Sequence, residues 1–504
     1  MLNNSETLAT SAIILIAVAI LAWGFNRARP YGKIGILSWL QSVVLMTPWL
    51  LFFGLFAAGI YLNLVGVLLL LLTSTGIYIY LGNRLRAAGQ DVMLRQQANE
   101  RLQDKQALDN HQQQEQNQQR ENQEEESNTN RPPIPEEDLK TIQSLFGIDT
   151  FFSTETIPYQ DGAIFKGNLR ADPEKVYEQL THKLEQKLGE KYRLFLVDGP
   201  ENKPVVIILP STNDPQTSTP TQQVLAVVLM VVTAVSSVEA FSLLLGFDLF
   251  SNLERFREAV PFAVGLGIIL GAHEVGHRVI AQRYGIRLSL PFFIPSLQIG
   301  SFGGLTRIES LLPSRSILFE LALAGPAVGG LVSLVMLVVG LVLSQPGSLF
   351  QVPTQFFQGS ILVGTLAKIV LGSQLEASIV DVHPLTVMGW LGLVITALNL
   401  MPAGQLDGGR IVQAIYGRKT ARRTTVATLI VLGIVAITNP SNPIPLYWGI
   451  LILFLQRSLE RPSLNELTEP DDARAALGLL ALFLMLATLI PLSPGLAGKL
   501  GIGI

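Results

Sequence analysis

Two histidines, His273 and His277, lie four residues apart in an apolar stretch, and Glu274 follows the first of them directly. Because residues i and i+4 share one face of a helix, the two imidazoles can bind the same metal ion. Glu274 is then placed to take a proton from water at that ion rather than to bind the metal. The alternative is a structural pair near the lipid headgroups, with Glu274 paired to Arg278. The functional interpretation is favoured because ionisable side chains inside an apolar span are costly and generally mark function.

Two histidines need at least one more protein ligand if a position is to remain for water. The chain has no cysteine, so any metal must be held by histidine and carboxylate. The best third candidate is Asp407, which ends an apolar segment among glycines and Pro402 that let the backbone leave helical form. Taken alone, Asp407 is more simply a loop charge paired with Arg410. Beside a metal-binding helix, the ligand interpretation is favoured.

The chain has five histidines in all, and the other three suggest no metal site. His383 is expected to be structural or interfacial, while His111 and His182 lie in polar segments and are expected to be solvated. Glu320 lies near the end of an apolar run, where a long side chain can reach the interface. Glu239 is placed more deeply in its run and has no assignment from the sequence.

Composition predicts the kind of protein that must position these residues. Of 504 residues, 49% are hydrophobic and 15% are charged, whereas about a quarter are charged in soluble proteins. With a mean hydropathy of +0.40 and long apolar runs, the chain is predicted to be an all-α polytopic membrane protein. We expect about ten transmembrane helices, a re-entrant or hairpin segment and a small soluble α+β domain. The net charge of −3 gives no support to nucleic-acid binding.

Changes in composition divide the chain into five regions. They are an N-terminal membrane region of about three spans (1–85), a Gln/Glu-rich spacer (86–133), a soluble α+β domain (134–210), a linker (211–222) and a membrane-embedded core (223–504). In the soluble domain, Asp172 followed by Pro173 predicts the start of a helix that runs to Leu188. Short apolar segments at 192–197 and 204–209 are typical of strands.

Basic residues recur in every second loop, from Arg27 after the first span to Arg457 after the ninth. The positive-inside rule then places the N-terminus outside and the soluble domain on the cytoplasmic side. The loop that holds Arg255 and Arg257 is an exception to the alternation.

The motifs in combination resemble the site-2 protease family of intramembrane zinc metalloproteases. They are the intramembrane His-Glu-x-x-His at 273–277 and the later run from Asn399 through Pro402 to Leu-Asp-Gly at 406–408. The chain is most similar to the plastid and cyanobacterial branch typified by the ethylene-dependent gravitropism-deficient and yellow-green proteins. The Gly-Asn-Leu-Arg signature of that branch is matched at 167–170, and the similarity covers about residues 135–490.

The resemblance implies a role for each motif residue. His273, His277 and Asp407 would bind Zn²⁺, and Glu274 would be the general base. Asn399 would lie near the reacting carbonyl, where its side chain can form a hydrogen bond with the oxyanion.

The resemblance also implies a substrate-binding hairpin after the catalytic helix, and Gly303 and Gly304 stand in the matching place. An exposed strand edge there can pair with an unwound substrate. The broader family often has proline directly after the motif asparagine, whereas this chain has Leu400, a departure that changes local backbone shape and affects no ligand.

The expected activity is hydrolysis of peptide bonds in or near the transmembrane segments of membrane protein substrates by zinc-activated water. The expected partners are such a substrate and membrane lipid. The alternative is a metal-ion transporter or a non-proteolytic, metal-dependent membrane scaffold, which would need the ligands but not Glu274. The expected location is a bacterial, cyanobacterial-like plasma or thylakoid membrane.

Overall fold

The computed structural model describes scattered residues between 24 and 85, and residues 134–502 apart from 160, 200–202, 441 and 457. The chain divides into two compact units, residues 1–129 with 436–443 and residues 130–435 with 444–504. The candidate site and the soluble domain belong to the second unit. The three spans predicted for 1–85 lie largely outside the described residues, and the spacer at 86–133 lies wholly outside them.

Residues 134–210 form an antiparallel sheet with two helices. In chain order the elements are α1 (Glu136–Gln143), β1 (Phe151–Tyr159), β2 (Gly162–Leu169), α2 (Pro173–Leu188), β3 (Tyr192–Asp198) and β4 (Pro204–Pro210), and the strand order is β1-β2-β4-β3. Helix α2 begins where predicted because Asp172 accepts the backbone N–H groups of residues 174 and 175. Its buried residues Val176, Leu180 and Leu184 repeat every fourth position and pack on the sheet.

Strand β3 lies at one edge of this sheet, and a segment from the C-terminal region covers that edge. Leu196 donates its N–H to the carbonyl of Leu464 at 2.8 Å and accepts the N–H of Glu466 at 2.9 Å. On the other side, Leu464 donates to the carbonyl of Leu312 at 2.8 Å. Residues 464–466 therefore act as an additional strand between β3 and the segment around Leu312, which lies just before the long helix that begins at Arg315.

The remaining helices are apolar and mostly long. They are α3 (Pro220–Leu244), α4 (Phe256–Arg283), α5 (Arg315–Leu343), α6 (Ile361–Leu371), α7 (Pro384–Asn399), α8 (Asp407–Thr438), α9 (Ile444–Leu451), α10 (Asp472–Leu489) and α11 (Pro494–Leu500). In the described part of the chain, five of these stretches are long and apolar enough to cross a membrane, namely α3, α4 with its preceding turn, α5, α8 and α10. Helix α8 is interrupted at Gly417, whose φ of 77° lies in the region that favours glycine.

The prediction of about ten spans is not confirmed. Two stretches that were counted as spans, α7 and the apolar residues 444–456, form shorter helices. The 16 residues of α7 rise about 24 Å, less than the roughly 30 Å of a hydrocarbon core. Most side chains of α7 are buried against protein, so this helix does not need to match the thickness of the lipid.

Two short ribbons of antiparallel strands interrupt the helices. Strands β5 (Phe292–Ser296) and β6 (Gly300–Leu305) form a hairpin after α4, and β7 (Phe350–Pro353) pairs with β8 (Ile379–Val382). The hairpin is held against α3 by Ser236, whose hydroxyl donates to the carbonyl of Gly300 at 2.7 Å. A hairpin is therefore present where the family resemblance implied one, in the glycine-rich segment after α4. Re-entry of a segment into a membrane is not confirmed.

Helices α4, α5 and α7 approach one another closely because glycines line their contacts. A Cβ atom at Gly276 of α4 would lie 2.4 Å from the carbonyl oxygen of Ala324 in α5. A Cβ atom at Gly389 of α7 would lie 2.3 Å from the backbone nitrogen of Leu337 in α5. Small residues allow such close backbone packing in apolar surroundings. These contacts fix the face of α4 that carries the two histidines.

Candidate active site

The predicted metal ligands converge at one buried point. His273 and His277 lie on one face of α4, with their Nε2 atoms 3.2 Å apart. Asp407, the first residue of α8, places Oδ2 3.2 Å from Nε2 of His273 and Oδ1 3.5 Å from Nε2 of His277. Within the described part of the chain, this is the group of three ionisable side chains that could hold a metal ion.

The distances and the donor types fit a zinc ion. Zn–N and Zn–O bonds of about 2.0–2.1 Å in a tetrahedron put neighbouring ligand atoms about 3.3 Å apart, close to the spacings found here. Two imidazole nitrogens and one carboxylate oxygen are a ligand set of the catalytic type, which leaves a fourth position for water. The burial of all three residues also favours a bound cation, since the carboxylate would otherwise lie in an apolar bundle.

The tautomer of His277 is fixed by a contact beyond the ligand set. Nδ1 of His277 lies 2.7 Å from the carbonyl oxygen of Leu321 in α5. A carbonyl only accepts, so Nδ1 carries the proton and Nε2 keeps its lone pair for a metal. The ring fits closely against α5 because a Cβ atom at Gly325 would lie 2.2 Å from Nε2. Gly325 therefore provides the space that the imidazole of His277 occupies.

Glu274 is buried, and its two carboxylate oxygens have different surroundings. Oε2 accepts a hydrogen bond from the hydroxyl of Thr306 at 2.8 Å. Oε1 is shielded from solvent and has no hydrogen-bond partner among the described residues. Because buried carboxylate oxygens are nearly always paired, Oε1 is the atom expected to meet a water or a substrate group. Arg278 donates to the carbonyl of Ser289 at 3.0 Å, so the alternative pairing with Glu274 is not found.

Asn399 ends α7 and contacts the β5–β6 hairpin. Its Nδ2 donates to the carbonyl of Ile395 at 2.9 Å and to the carbonyl of Phe302 at 3.3 Å. A Cβ atom at Gly303, where φ is 101°, would lie 2.5 Å from Nδ2. A Cβ atom at Gly304 would lie 2.8 Å from Oε1 of Glu274. The two glycines thus bring strand β6 against the residues predicted to react.

A small cavity lies beside these groups, and its volume of about 20 Å³ exceeds the roughly 10–15 Å³ needed for one water molecule. Its lining includes His277, Gly304, Thr306, Asn399, Asp407 and Arg410. Water held there would touch both a predicted metal ligand and the predicted substrate strand.

The site also contains a buried ion pair, Arg410 with Glu460, that was not predicted from the sequence. Arg410 lies 3.8 Å from Asp407, but its closer contacts are elsewhere. Nε and Nη2 of Arg410 lie 3.0 and 2.9 Å from Oε2 of Glu460, and Nη2 also donates to the carbonyl of Thr306 at 2.9 Å. Glu460 stands 50 residues away in a polar segment, and no local pattern connects it with Arg410.

The other ionisable residues singled out from the sequence lie outside this cluster. His383 caps α7, as a structural histidine would, with Nδ1 accepting the N–H of Leu385 at 3.3 Å. Glu239 accepts the N–H of Leu249 at 2.9 Å and so holds the loop after α3. Glu320 contacts Arg474 and Tyr284. His182 lies on the polar face of α2, and His111 lies outside the described residues.

Comparison with family models assigns two parts of the chain. Residues 261–438, which include all the predicted metal ligands, match Peptidase family M50. Residues 140–216, nearly the whole soluble domain and the start of the linker, match the EGY3 middle domain. No solved structure matches the chain.

Curated relatives include the probable zinc metalloprotease EGY2, chloroplastic, of Arabidopsis thaliana, which is 39% identical over 71% of this chain and 65% of its own length. The probable zinc metalloprotease EGY1, chloroplastic, of the same plant is 36% identical over 73% of each chain. The probable zinc metallopeptidase EGY3, chloroplastic, is 32% identical over 71% of this chain and 66% of its own length. The match therefore spans about two thirds of the EGY2 and EGY3 sequences.

These names correct the expected location. A bacterial plasma or thylakoid membrane with a cytoplasmic soluble domain was predicted from loop charges and resemblance, whereas the relatives are chloroplastic proteins and point to a plastid. The predicted location was therefore wrong. Loop charge indicates the orientation of a protein across a membrane and carries no information about which membrane it is. The membrane-protein character is supported by the apolar helices. The matching domain and these relatives, together with the convergence of the predicted metal ligands, show that the chain belongs to the site-2 protease family, Peptidase family M50.

Proposed function

We propose that this protein is an intramembrane zinc endopeptidase that cuts membrane protein substrates in or near their transmembrane segments. The observation that carries the proposal is the buried convergence of His273, His277 and Asp407 beside Glu274, one of whose oxygens is unpaired. The names of the relatives as zinc metalloproteases support the choice of metal and reaction.

The residues of the chain have separate tasks in this reaction. When bound, zinc supplies a Lewis acid that acidifies water and polarises a peptide carbonyl. Oε1 of Glu274 accepts the proton of the attacking water and passes it to the leaving amine. Asn399 stabilises the oxyanion, and its longer bond, 3.3 Å to the carbonyl of Phe302, is the one that the substrate replaces.

Substrate binding is assigned to strand β6. A transmembrane helix hides its peptide bonds in its own hydrogen bonds, so the substrate must unwind locally before cleavage. An unwound segment can add to the edge of β6 at Gly303 and Gly304, where the missing side chains leave room next to Glu274. The partners are then a membrane protein substrate and the surrounding lipid.

The finer architecture belongs to the same proposal. The apolar stretches before residue 86, the five long helices and the two shorter ones would together bring the number of spans to about ten. The β5–β6 hairpin would be its re-entrant segment, tolerated at membrane depth because it is covered by α3 and α7. The five regional boundaries remain a prediction from composition.

The test is cleavage of a single-span substrate in liposomes by wild type and by Glu274→Gln. We expect cleavage by wild type, loss of cleavage in the variant, and equal zinc content in both, because Glu274 is a base and not a ligand. Equal cleavage by both would exclude the mechanism. Zinc flux into the liposomes without cleavage would favour the transporter alternative.

A further inference from the structure

Thr306 directly follows β6 and contacts both helices that carry the metal-ligand residues. Its hydroxyl donates to Oε2 of Glu274 on α4 at 2.8 Å, and its backbone carbonyl accepts from Arg410 on α8 at 2.9 Å. Thr306 is only 9% exposed. Thr306 is therefore one buried residue that contacts α4 and α8 and directly follows the proposed substrate strand.

The hydroxyl contact determines where the unpaired carboxylate oxygen of Glu274 lies. With Oε2 held by Thr306, the unpaired oxygen is Oε1, the one that lies next to Gly304. Turning the carboxylate away from this orientation would break a hydrogen bond to a charged group, one of the stronger kinds. The contact thus keeps the free oxygen beside the strand where a substrate would lie.

Arg410 holds Thr306 in place from the opposite side. Its guanidinium forms two close contacts with Oε2 of Glu460, at 3.0 and 2.9 Å, and both residues are buried. Glu460 is itself fixed by Gln413, whose side chain accepts the N–H of Glu460 at 3.1 Å. A guanidinium held in this way is a rigid donor for the carbonyl of Thr306.

We propose that Thr306 is a positioning residue that orients the general base Glu274, and that Arg410 and Glu460 hold Thr306 for this task. The inference rests on the proposed function. Thr306 itself exchanges no proton and touches no metal-ligand atom. Its contribution is to direct Oε1 of Glu274 at the reacting groups.

The kinetic test compares Thr306→Val, which keeps the shape and loses the hydroxyl, with Thr306→Ser, which keeps the hydroxyl. We expect Thr306→Val to lower kcat about 10- to 100-fold, as loss of a hydrogen bond to a charged group does, with KM and zinc content unchanged. Thr306→Ser should restore most of the activity. The matched control is Thr488→Val, because Thr488 is also buried and donates only to its own helix, at the carbonyl of Leu484.

A second test needs no activity. Thermal unfolding of the metal-free protein in detergent is measured for Thr306→Val in the wild-type and in the Glu274→Ala background. If the contact orients Glu274, the valine lowers the unfolding midpoint in the first background and leaves it nearly unchanged in the second.

The outcomes separate this inference from the proposed function. Equal shifts in both backgrounds would show that the two side chains are not coupled and would overturn the inference. The same holds if Thr306→Val cleaves like wild type, or if valine and serine are equally impaired. A wild-type protein that cleaves nothing would instead contradict the proposed function, and the unfolding measurement would still decide the contact.

Discussion

The Glu320 cluster and the metal cluster both lie among the apolar helices, and they differ in how far their members satisfy one another's hydrogen-bonding and charge requirements. In the Glu320 cluster (Tyr284, Glu320, Arg474), the tyrosine donates to Oε2 at 2.6 Å and the guanidinium donates to Oε1 at 3.1 Å. In the metal cluster (His273, His277, Asp407), three ligand atoms lie within 4.8 Å of one another, and the neighbouring Glu274 has an unpaired oxygen.

The comparison shows that a charge inside an apolar helix is a weak sign of function by itself. Glu320 meets an arginine and a tyrosine, so its charge is neutralised and its role is structural. In the metal cluster, the lone pairs of the ligand atoms point towards one position. This arrangement is favoured when a cation or a proton is shared there. Convergence of ligand atoms on one point distinguishes the predicted metal cluster from the Glu320 cluster.

The largest expected effect comes from removing a ligand. Asp407→Asn should reduce zinc affinity strongly and lower cleavage by at least about 10³-fold, because the amide lacks the charge that the site needs. Metal content of the purified variant and cleavage of a single-span substrate check this. Full zinc occupancy in Asp407→Asn would show that Asp407 is not a zinc ligand. The proposed difference between the metal cluster and the Glu320 cluster would then be contradicted.

The next effect comes from filling the space beside the general base. Gly304→Ala would place a methyl group 2.8 Å from Oε1 of Glu274, and we expect cleavage to fall about 10- to 100-fold with zinc retained, since small displacements of reacting groups cost this much. The matched control is Gly271→Ala on α4, where a Cβ atom meets nothing within 4 Å. Equal activity of the two alanine variants would contradict the proposed role of β6 in substrate binding.

A smaller effect is expected in the structural cluster. Glu320→Gln removes one acidic partner of Arg474, which is 35% exposed and keeps its contact with Asp471, so the loss of stability should be about 1 kcal/mol or less. Thermal unfolding and substrate cleavage of the variant are measured together. Cleavage should equal that of wild type, and a large loss of activity with zinc retained would show that the two clusters are coupled.

The smallest effect is expected in the soluble domain, where Tyr192 donates to Asp138 at 2.8 Å. Burial, aided by this hydrogen bond, raises the pKa of Tyr192 to about 12, above the value of about 10 in an unfolded chain. The neutral phenol therefore adds stability below about pH 10, and this stability is lost as the pH rises through 12. Tyr192→Phe should cost about 1 kcal/mol at neutral pH and less in alkali. Unfolding midpoints at several pH values check this, and a constant difference would contradict it.

Local patterns predicted the local structure well. The capping by Asp172 and the proline after it located the start of α2, and the strands at 192–198 and 204–210 lie within one residue of their predicted bounds. The span count is not confirmed at α7, because hydropathy indicates that a helix is buried but does not distinguish burial in lipid from burial in protein.

Pairings between distant residues were the part that sequence reasoning missed. Arg410 was considered as a partner of Asp407 three residues before it, yet its main partner is Glu460. Glu320 was expected to reach the interface, and its pairing with Arg474 was not predicted. The contact between Glu274 and Thr306 spans 32 residues and left no local signal. Each of these contacts joins elements that only folding brings together.

The sequence by itself determined the chemistry that this protein can carry. The helical period puts His273 and His277 on one face, the absence of cysteine restricts the third ligand to an oxygen or another histidine, and the motifs identify the family. The tertiary structure decided how closely Asp407 approaches the two histidines and where the unpaired oxygen of Glu274 lies. The reason is physical, since ligand convergence depends on the packing of α4, α5 and α8 at glycine contacts, and that packing is a property of the whole bundle.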